Sequence, residues 1–138
     1  MKRLSSKEFK HIYSKVTRLC IDLVIKNKDG ILFTKRGITP WKGMWHLPGG
    51  TVLFHESLEN ASRRIAKGEL NLKIKIIKVV GTMEFFRNKY HAVSVAFLAK
   101  PLSNKIKLDR QATEFRYFKK PDKNTIKEHK KFIEGLKL

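Results

Sequence analysis

The hydrophobic positions of this chain recur with a helical period in three segments. Residues 5–16 carry an apolar face after Ser5 or Ser6, either of which can cap a helix. A second helical segment covers residues 56–70, and a third opens at Pro121, because proline suits the first turn of a helix. The pattern therefore predicts a helix near each end of the chain and one in the middle.

Runs of β-branched and aromatic residues occupy the stretches between these helices. The Lys-Asp-Gly turn at residues 28–30 indicates a hairpin between the first two runs, and residues 87–90 indicate another turn. Strands on both sides of a central helix favour a mixed sheet between helices, an α/β/α sandwich that residues 1–138 form as one domain. The predicted strands cover residues 18–27, 31–36, 73–86, 91–100 and 115–120.

The charge of the chain is strongly unbalanced. The 138 residues contain 31 Lys and Arg against 12 Asp and Glu, a net charge of +19, which attracts anions such as nucleotides, nucleic acid or acidic lipid. The basic residues are spread along the chain, which argues against a single stripe for nucleic acid. We therefore expect at most weak nucleic-acid binding beside a small anionic ligand.

Two absences in the sequence bear on its location. No apolar run approaches the roughly 20 residues of a membrane span, so we expect no membrane partner. The basic N-terminus also lacks the apolar segment of a signal peptide. A single cysteine, Cys20, cannot form an internal disulfide, and this favours a reducing compartment, the cytoplasm.

One acid interrupts the apolar stripe of the central helix. Leu58, Ala61 and Ile65 share one face of this helix. With about 100° per residue, Glu69 falls about 20° from Leu58, inside that stripe. An ionised carboxylate on a buried face is destabilising by several kcal/mol unless it is paired or binds a metal. The alternative is a frayed helix end, since Gly68 weakens the helix by about 1 kcal/mol.

A double glycine precedes this helix. Gly49 and Gly50 let the backbone turn tightly and bring its carbonyl groups close to whatever the helix faces. A glycine carbonyl and the Glu69 carboxylate form an oxygen-rich set, which suits Mg²⁺. Because Mg²⁺ usually also takes oxygens from a substrate phosphate, nearby basic residues would help to hold that phosphate.

The double glycine and the helix together resemble the Nudix box. Gly50, Glu56, Arg64, Glu69 and Leu72 match that motif at its spacing. Within it, an ion pair of Glu56 with Arg64 is predicted to fix the loop against the helix.

The remaining positions of the box depart from the motif. Ile65 and Gly68 stand where the family has metal-binding acids, and Asn71 stands where it has glycine. One branch, GDP-mannose mannosyl hydrolase, lacks those same two acids, and the chain is similar to that branch over residues 4–72 and again over 109–118. The resemblance implies a Nudix fold and hydrolysis of a nucleotide sugar.

The resemblance also implies a set of metal ligands. The carbonyl of Gly49, the carboxylate of Glu69 and the side chain of Gln111 would hold one Mg²⁺ together with diphosphate oxygens and water. Arg36 would stabilise the departing nucleoside diphosphate, so Arg36 and Glu69 are predicted catalytic residues. In that branch water attacks the anomeric carbon of the sugar, a reaction that needs fewer metal ions.

Further residues are predicted to contact the substrate. The resemblance implies that Asp22 hydrogen-bonds near the sugar or the base. Phe9 would stack near the base, within one chain or across the homodimer that the branch suggests. We also assign Tyr90 and His91, at the start of a predicted strand, to substrate binding.

The general base of that branch is missing from its usual place. A histidine follows the glutamine there, whereas Ala112 follows Gln111 here. Losing a base lowers rates by about 10²–10⁴-fold. The substitutes open to this chain are His91, Asp109, His55 and Glu114, of which we assign Glu114 as a catalytic residue.

Three functions follow from these observations. The first is Mg²⁺-dependent hydrolysis of a nucleoside diphosphate sugar, with GDP-mannose giving GDP and mannose. The second is a Nudix pyrophosphatase that cleaves the diphosphate of a nucleoside diphosphate derivative. The third is a weakly catalytic Nudix domain that binds nucleotide or RNA, which the net charge and Ala112 favour.

Overall fold

Residues 3–138, the part that the computed structural model describes, form three helices and seven strands. Met1 and Lys2, which begin the basic N-terminus, lie outside this part. None of the helices within residues 3–138 is long and apolar enough to cross a membrane. In chain order the elements are α1 (Ser6–Tyr13), β1 (Arg18–Asn27), β2 (Gly30–Arg36), β3 (Trp45–His46), β4 (Gly49–Thr51), α2 (Leu58–Leu70), β5 (Ile74–Arg87), β6 (Tyr90–Pro101), β7 (Ala112–Phe118) and α3 (Lys127–Gly135).

The seven strands form one mixed sheet, as predicted. Its order is β3-β2-β1-β6-β5, with β4 paired to β1 and β7 paired to β2. Strands β1 and β6 run parallel, and the other pairs are antiparallel. Strand β1 thus contacts three other strands, which places its side chains at the centre of the molecule.

Helices cover both faces of this sheet. Ile21, Leu23 and Ile25 point to one face and pack in a core with α2, whereas Cys20 and Val24 point to the other face and pack with α3. This division follows from the alternation of side chains along a strand. The predicted α/β/α arrangement with a mixed sheet is confirmed.

Helix α1 begins where the sequence predicts a cap. The hydroxyl of Ser5 accepts a hydrogen bond from the amide of Glu8, 3.2 Å away, and the Glu8 side chain reaches back to Ser5 in a capping box. None of the residues of α1 is buried, although the helix is amphipathic. It therefore lies on the surface, at the edge of a cleft described below.

Two helices begin later than predicted. Helix α2 begins at Leu58, because the Ser57 hydroxyl caps the amide of Asn60 at 3.1 Å. Helix α3 begins at Lys127, because residues 121–126 form a turn in which the Asp122 carboxylate accepts from a backbone amide.

The last strand begins earlier than predicted. Strand β7 starts at Ala112 and pairs with β2 from Arg36 onward, so the predicted start at residue 115 is wrong. Pairing with the end of β2 decides this boundary, which the composition of residues 112–114 does not indicate.

Candidate functional site

A cleft of about 1360 Å³ opens between α1, the middle of the sheet and the end of α2. Strand β1 forms its floor, and the loop before β7 closes one side. Most of the predicted site residues line this cleft, although they come from seven different parts of the chain. They are Phe9, Asp22, Arg36, Gly49, Glu69, Tyr90 and Gln111.

Gly49 lies against β1 at the level of Asp22. The two residues are paired across the antiparallel β1–β4 ladder. A Cβ atom added at Gly49 would clash with Asp22 and would come within 2.6 Å of the Ile21 carbonyl oxygen. Only glycine allows this close approach, which brings the backbone of β4 to the mouth of the cleft.

Glu69 lies half-buried on the last turn of α2. Burial, together with the nearby charge of Asp109, raises the pKa of Glu69 to about 8, and a hydrogen bond from the Gly49 backbone opposes this shift. None of the Lys or Arg side chains in residues 3–138 forms a salt bridge with Glu69. The neutral form of the Glu69 carboxyl is therefore favoured unless a cation lies beside it.

The surroundings of Glu69 fit a divalent cation with oxygen ligands. Within residues 3–138 no group of three His, Cys, Asp or Glu could bind a metal by side chains alone. Any ion here would depend on Glu69, backbone or amide oxygens and substrate phosphate, the usual ligands of Mg²⁺. Gln111, exposed in the loop beside the cleft, supplies an amide oxygen, and its backbone amide donates to Asp109 at 2.9 Å.

Arg36 ends β2 at the opposite wall of the cleft. Its Nε donates a 2.6 Å hydrogen bond to the carbonyl of Pro40, which orients the guanidinium. The residue is half-buried and pairs across the sheet with Ala112, next to Gln111. An arginine and a glutamine thus meet at the edge of the cleft that also holds Glu69.

Asp22 is buried and has two partners that the sequence analysis did not consider. The hydroxyl of Ser94 donates to one of its oxygens at 2.5 Å, and His129 Nε2 lies 3.3 Å from the other. The backbone amide of Leu47 donates to His129 Nδ1 at 3.0 Å, so the proton of a neutral His129 is on Nε2 and faces Asp22. Helix α3 therefore takes part in the site through a buried histidine.

His46 is a second histidine of the cleft that was not considered. Burial lowers its pKa to about 4, so the ring stays neutral. Its Nδ1 donates to the Leu47 carbonyl at 2.9 Å, and its Nε2 accepts from the Thr34 hydroxyl at 3.2 Å. Both nitrogen atoms are thus occupied within the protein.

A sequence signal could have identified His129 but not His46. His129 lies three residues after Ile126 and four before Ile133, and all three are buried. That spacing places the histidine on the inner face of α3. His46 is in a two-residue strand, for which no period can be measured.

Glu114 and His91 lie outside the lining of the cleft. The Glu114 carboxylate accepts from Arg116 at 2.9 Å on β7. His91 Nδ1 is 2.8 Å from the Thr17 hydroxyl, and its ring stacks on Phe86.

The other two substitutes for the missing base differ from each other. His55 is exposed, and its ring lies against that of Phe54. Asp109 lines the cleft beside Glu69. Of the four substitutes, only Asp109 therefore has its side chain in the cleft.

Glu56 and Arg64 form the predicted structural ion pair. Arg64 Nε lies 2.7 Å from one Glu56 oxygen and its Nη2 lies 2.9 Å from the other. Arg64 also donates to the carbonyl of Thr51, and Glu56 accepts from the amide of Leu53. The pair fastens the loop that follows β4 to helix α2, and this prediction is confirmed.

Comparison with known proteins assigns this arrangement to a family. The family model described as "NUDIX domain" matches residues 16–135. The low-salt glycan biosynthesis protein Agl8 of Haloferax volcanii is 30% identical in an alignment of length 127, which covers 86% of this chain and 81% of that protein. An ADP-ribose pyrophosphatase of Methanocaldococcus jannaschii is 30% identical in an alignment of length 102, which covers 72% of this chain and 60% of that protein.

A solved structure has the same fold. A MutT NUDIX hydrolase from Burkholderia pseudomallei superposes with a TM-score of 0.82 at 22% identity, over 89% of this chain and all of that one. At this identity the likeness concerns the fold, and it agrees with the mixed sheet described above.

Proposed function

Because the chain belongs to the NUDIX domain family and is a Nudix-type hydrolase, we propose that it hydrolyses a nucleoside diphosphate sugar. GDP-mannose is the leading substrate and Mg²⁺ the cofactor. The observation that carries the proposal is Glu69, a cleft carboxylate with a pKa raised to about 8 and no salt bridge within residues 3–138. Such a group gains most from a bound divalent cation, and Nudix hydrolases use divalent metal ions.

A single ion suits the residues at this site. Glu69, Gly49 and Gln111 would hold it, since Ile65 is part of the core and Gly68 has no side chain. When bound, Mg²⁺ would neutralise charge that grows on the diphosphate as it leaves. Attack at phosphorus also brings a nucleophile to a centre that is already anionic, for which further metal ions are commonly used, whereas attack at the anomeric carbon does not. A site with one ion therefore favours the nucleotide-sugar reaction over the pyrophosphatase reaction.

The chain's own residues position the substrate in this proposal. Arg36, oriented by Pro40, approaches the leaving diphosphate and stabilises its charge. Asp22, held by Ser94 and His129, accepts hydrogen bonds from the hydroxyl groups of the sugar. Phe9 stacks on the base from α1, and because it lines the cleft of its own chain it needs no partner chain for this role.

The proposed reaction is a hydrolysis at the anomeric carbon. A water oxygen bonds to that carbon, the bond from the carbon to the diphosphate oxygen breaks, and the water proton passes to a carboxylate. Asp109 is better placed to accept it than Glu114 or His91, because only Asp109 lines the cleft. Tyr90 also lines the cleft, and burial raises its pKa to about 12, so its hydroxyl stays protonated beside the substrate.

The relatives support a sugar-linked substrate. A protein of glycan biosynthesis from Haloferax volcanii resembles this chain over most of both lengths. Glycan assembly consumes activated sugars, which are commonly nucleoside diphosphate sugars. We infer a substrate of the same chemical class here.

Phosphorus-31 NMR tests the proposal directly. GDP-mannose incubated with the protein and Mg²⁺ should give GDP and mannose, and water labelled with oxygen-18 should place its label on mannose. Glu69→Gln protein serves as the control and should leave the substrate intact. GMP and mannose phosphate as products would instead show cleavage between the phosphates.

That second outcome is our alternative proposal, a Nudix pyrophosphatase. It is favoured by the 30% identity to an ADP-ribose pyrophosphatase, although this chain spans 60% of that relative. ADP-ribose and GDP-mannose in the same assay separate the two activities.

We also propose that the protein forms a homodimer, because it resembles the GDP-mannose mannosyl hydrolase branch. The net charge of +19 leads us to propose weak nucleic-acid binding as well. Analytical ultracentrifugation measures the first. Binding to a single-stranded RNA that weakens steeply with salt would support the second.

A further inference from the structure

An arginine surrounded by aromatic rings lies at the far end of the cleft. The Arg18 guanidinium carbon is 4.4 Å from the ring centre of Tyr90, 4.5 Å from that of Phe9 and 5.2 Å from that of Tyr13. All four residues line the same cleft as Glu69. The rings come from α1 and β6, so Arg18 links the surface helix to the sheet.

The charge of Arg18 has no anionic partner within residues 3–138. Arg87 also lies over an aromatic ring, but it forms a salt bridge with Glu128 at 2.6 Å, whereas Arg18 forms none. The Arg18 Nε is shielded from solvent and unpaired, while the residue as a whole stays partly exposed. Its two terminal Nη groups are therefore the donors that remain for a ligand.

The position of Arg18 on β1 indicates which part of a ligand it would meet. Arg18 and Asp22 are four residues apart on one face of the strand, roughly 13 Å along it. Asp22 pairs with Gly49, at the end where the diphosphate lies in the proposed function, on which this inference rests. That separation leaves room for a ribose between the two ends, so Arg18 meets the base and not the diphosphate.

We propose that Arg18 is a specificity-determining residue that selects guanine. The planar guanidinium group of Arg18 presents two parallel N–H donors, which form a fork, and guanine offers two adjacent acceptors, O6 and N7. Adenine places a donor next to N7 and uracil has no such pair of acceptors, so neither can satisfy both donors. The aromatic side chains of Phe9, Tyr13 and Tyr90 hold the guanidinium and offer a surface on which the base stacks.

Calorimetry of nucleotide binding tests this proposal without requiring turnover. The full-length protein with Mg²⁺ is titrated with GDP, ADP and UDP, and chromatography verifies that each nucleotide stays intact. We expect GDP to bind roughly ten- to a hundredfold tighter than ADP or UDP. Arg18→Gln should bind all three about equally, and Arg18→Lys, which keeps the charge but not the fork, should do the same.

Two controls guard against a folding artefact. Arg63→Gln removes an exposed arginine of α2, outside the cleft, and should leave the preference unchanged. In the wild-type protein, 7-deaza-GDP lacks the N7 acceptor and should bind about as weakly as ADP, which tests the contact with no variant.

Several outcomes would overturn the proposal. They are an equal loss of affinity for all three nucleotides in Arg18→Gln, a guanine preference that persists in Arg18→Lys, or equal binding of GDP and 7-deaza-GDP. A wild-type protein that hydrolyses nucleotide sugars but binds the three nucleotides alike refutes this inference and leaves the proposed function intact. A guanine preference without hydrolysis of any nucleotide sugar refutes the proposed function only.

Discussion

Two glutamates at opposite ends of α2 have opposite surroundings. Glu56, just before the helix, accepts hydrogen bonds from Arg64 and from the amide of Leu53, and these contacts hold its pKa below the ordinary value. Glu69, on the last turn, forms no salt bridge in the described chain, and its pKa is raised to about 8.

The comparison shows how position on a helix separates an acid with a salt bridge from one without. The amide end of the helix dipole favours a carboxylate near Glu56, whereas the carbonyl end disfavours one near Glu69. Arg64 reaches back to Glu56 and leaves Glu69 to the cleft. The same residue type in one motif therefore anchors a loop at one end and, in the proposed function, binds a cation at the other.

The largest effect is expected for Glu69→Gln. The substitution removes the charge that would hold the cation. Loss of a residue that only hydrogen-bonds a metal ligand lowers activity by about 10- to 100-fold, so loss of the ligand's own charge should lower hydrolysis by at least about 100-fold. The folded state should be as stable as before or more so, because a buried unpaired carboxylate is lost. Initial rates with Mg²⁺ and a urea unfolding curve measure both; unchanged hydrolysis would contradict the metal assignment.

Glu56→Gln should show the converse pattern. Losing the charge-assisted contacts with Arg64 should lower the free energy of unfolding by about 1–3 kcal/mol, with a much smaller loss of activity than in Glu69→Gln. Glu59→Gln is the matched control, because its pair with Arg63 is exposed and is expected to contribute at most about 0.5 kcal/mol. If the two variants were equally stable, the Glu56–Arg64 pair would not anchor the loop.

The pH dependence of stability should have opposite signs at the two acids. Glu69 binds a proton more tightly in the folded chain, so its contribution falls as the pH rises from about 4.5 towards about 8. Glu56 binds a proton less tightly in the folded chain, so its contribution is present above about 4.5 and is lost as the pH falls.

Thermal melts of the metal-free protein between pH 5 and 8 measure the Glu69 contribution. In the wild-type protein the melting temperature should fall as the pH rises through this range. The Glu69→Gln variant should not show this fall, and Mg²⁺ should make it smaller in the wild-type protein. If the melting temperature of Glu69→Gln fell by the same amount, the pH dependence would come from other titratable groups.

The smallest effect is expected for Gly68→Glu. A side chain at residue 68 has open space around its Cβ position and lies at the cleft, next to Glu69. A second carboxylate should tighten Mg²⁺ binding by on the order of tenfold and shift products towards cleavage between the phosphates. Gly68→Gln controls for helix propensity. Calorimetry with Mg²⁺ and the NMR assay detect the two changes; equal Mg²⁺ affinity in the Glu and Gln variants would contradict the expectation.

The helical pattern predicted the core of α2 well because that face is long and regular. Ala61 and Ile65 are buried as their spacing indicates, and Leu58 is partly buried against the same core. The start of α3 was missed because a turn around Asp122 and a bridge from Trp45 to Thr125 extend the preceding loop. Such contacts between distant segments leave no local period.

The candidate site was predictable only where a motif or a resemblance marked it. The placement of Glu69 beside a double glycine follows from spacing within one short segment. The partners of Asp22 do not, because Ser94 and His129 are 72 and 107 residues away in the chain. Nothing in the sequence around Arg18 indicates that three rings from α1 and β6 surround its guanidinium.

The order of residues by itself determined most of the helices and strands, the structural pair of Glu56 with Arg64 and the one misplaced acid, since all of these depend on periods or on neighbours close in the chain. Only the tertiary structure decided which charges meet a partner and which do not. Those pairings depend on burial and on side chains from segments that are distant in the chain. The fold places Asp109 in the cleft with Glu69, whereas Glu114 and His91 lie outside it.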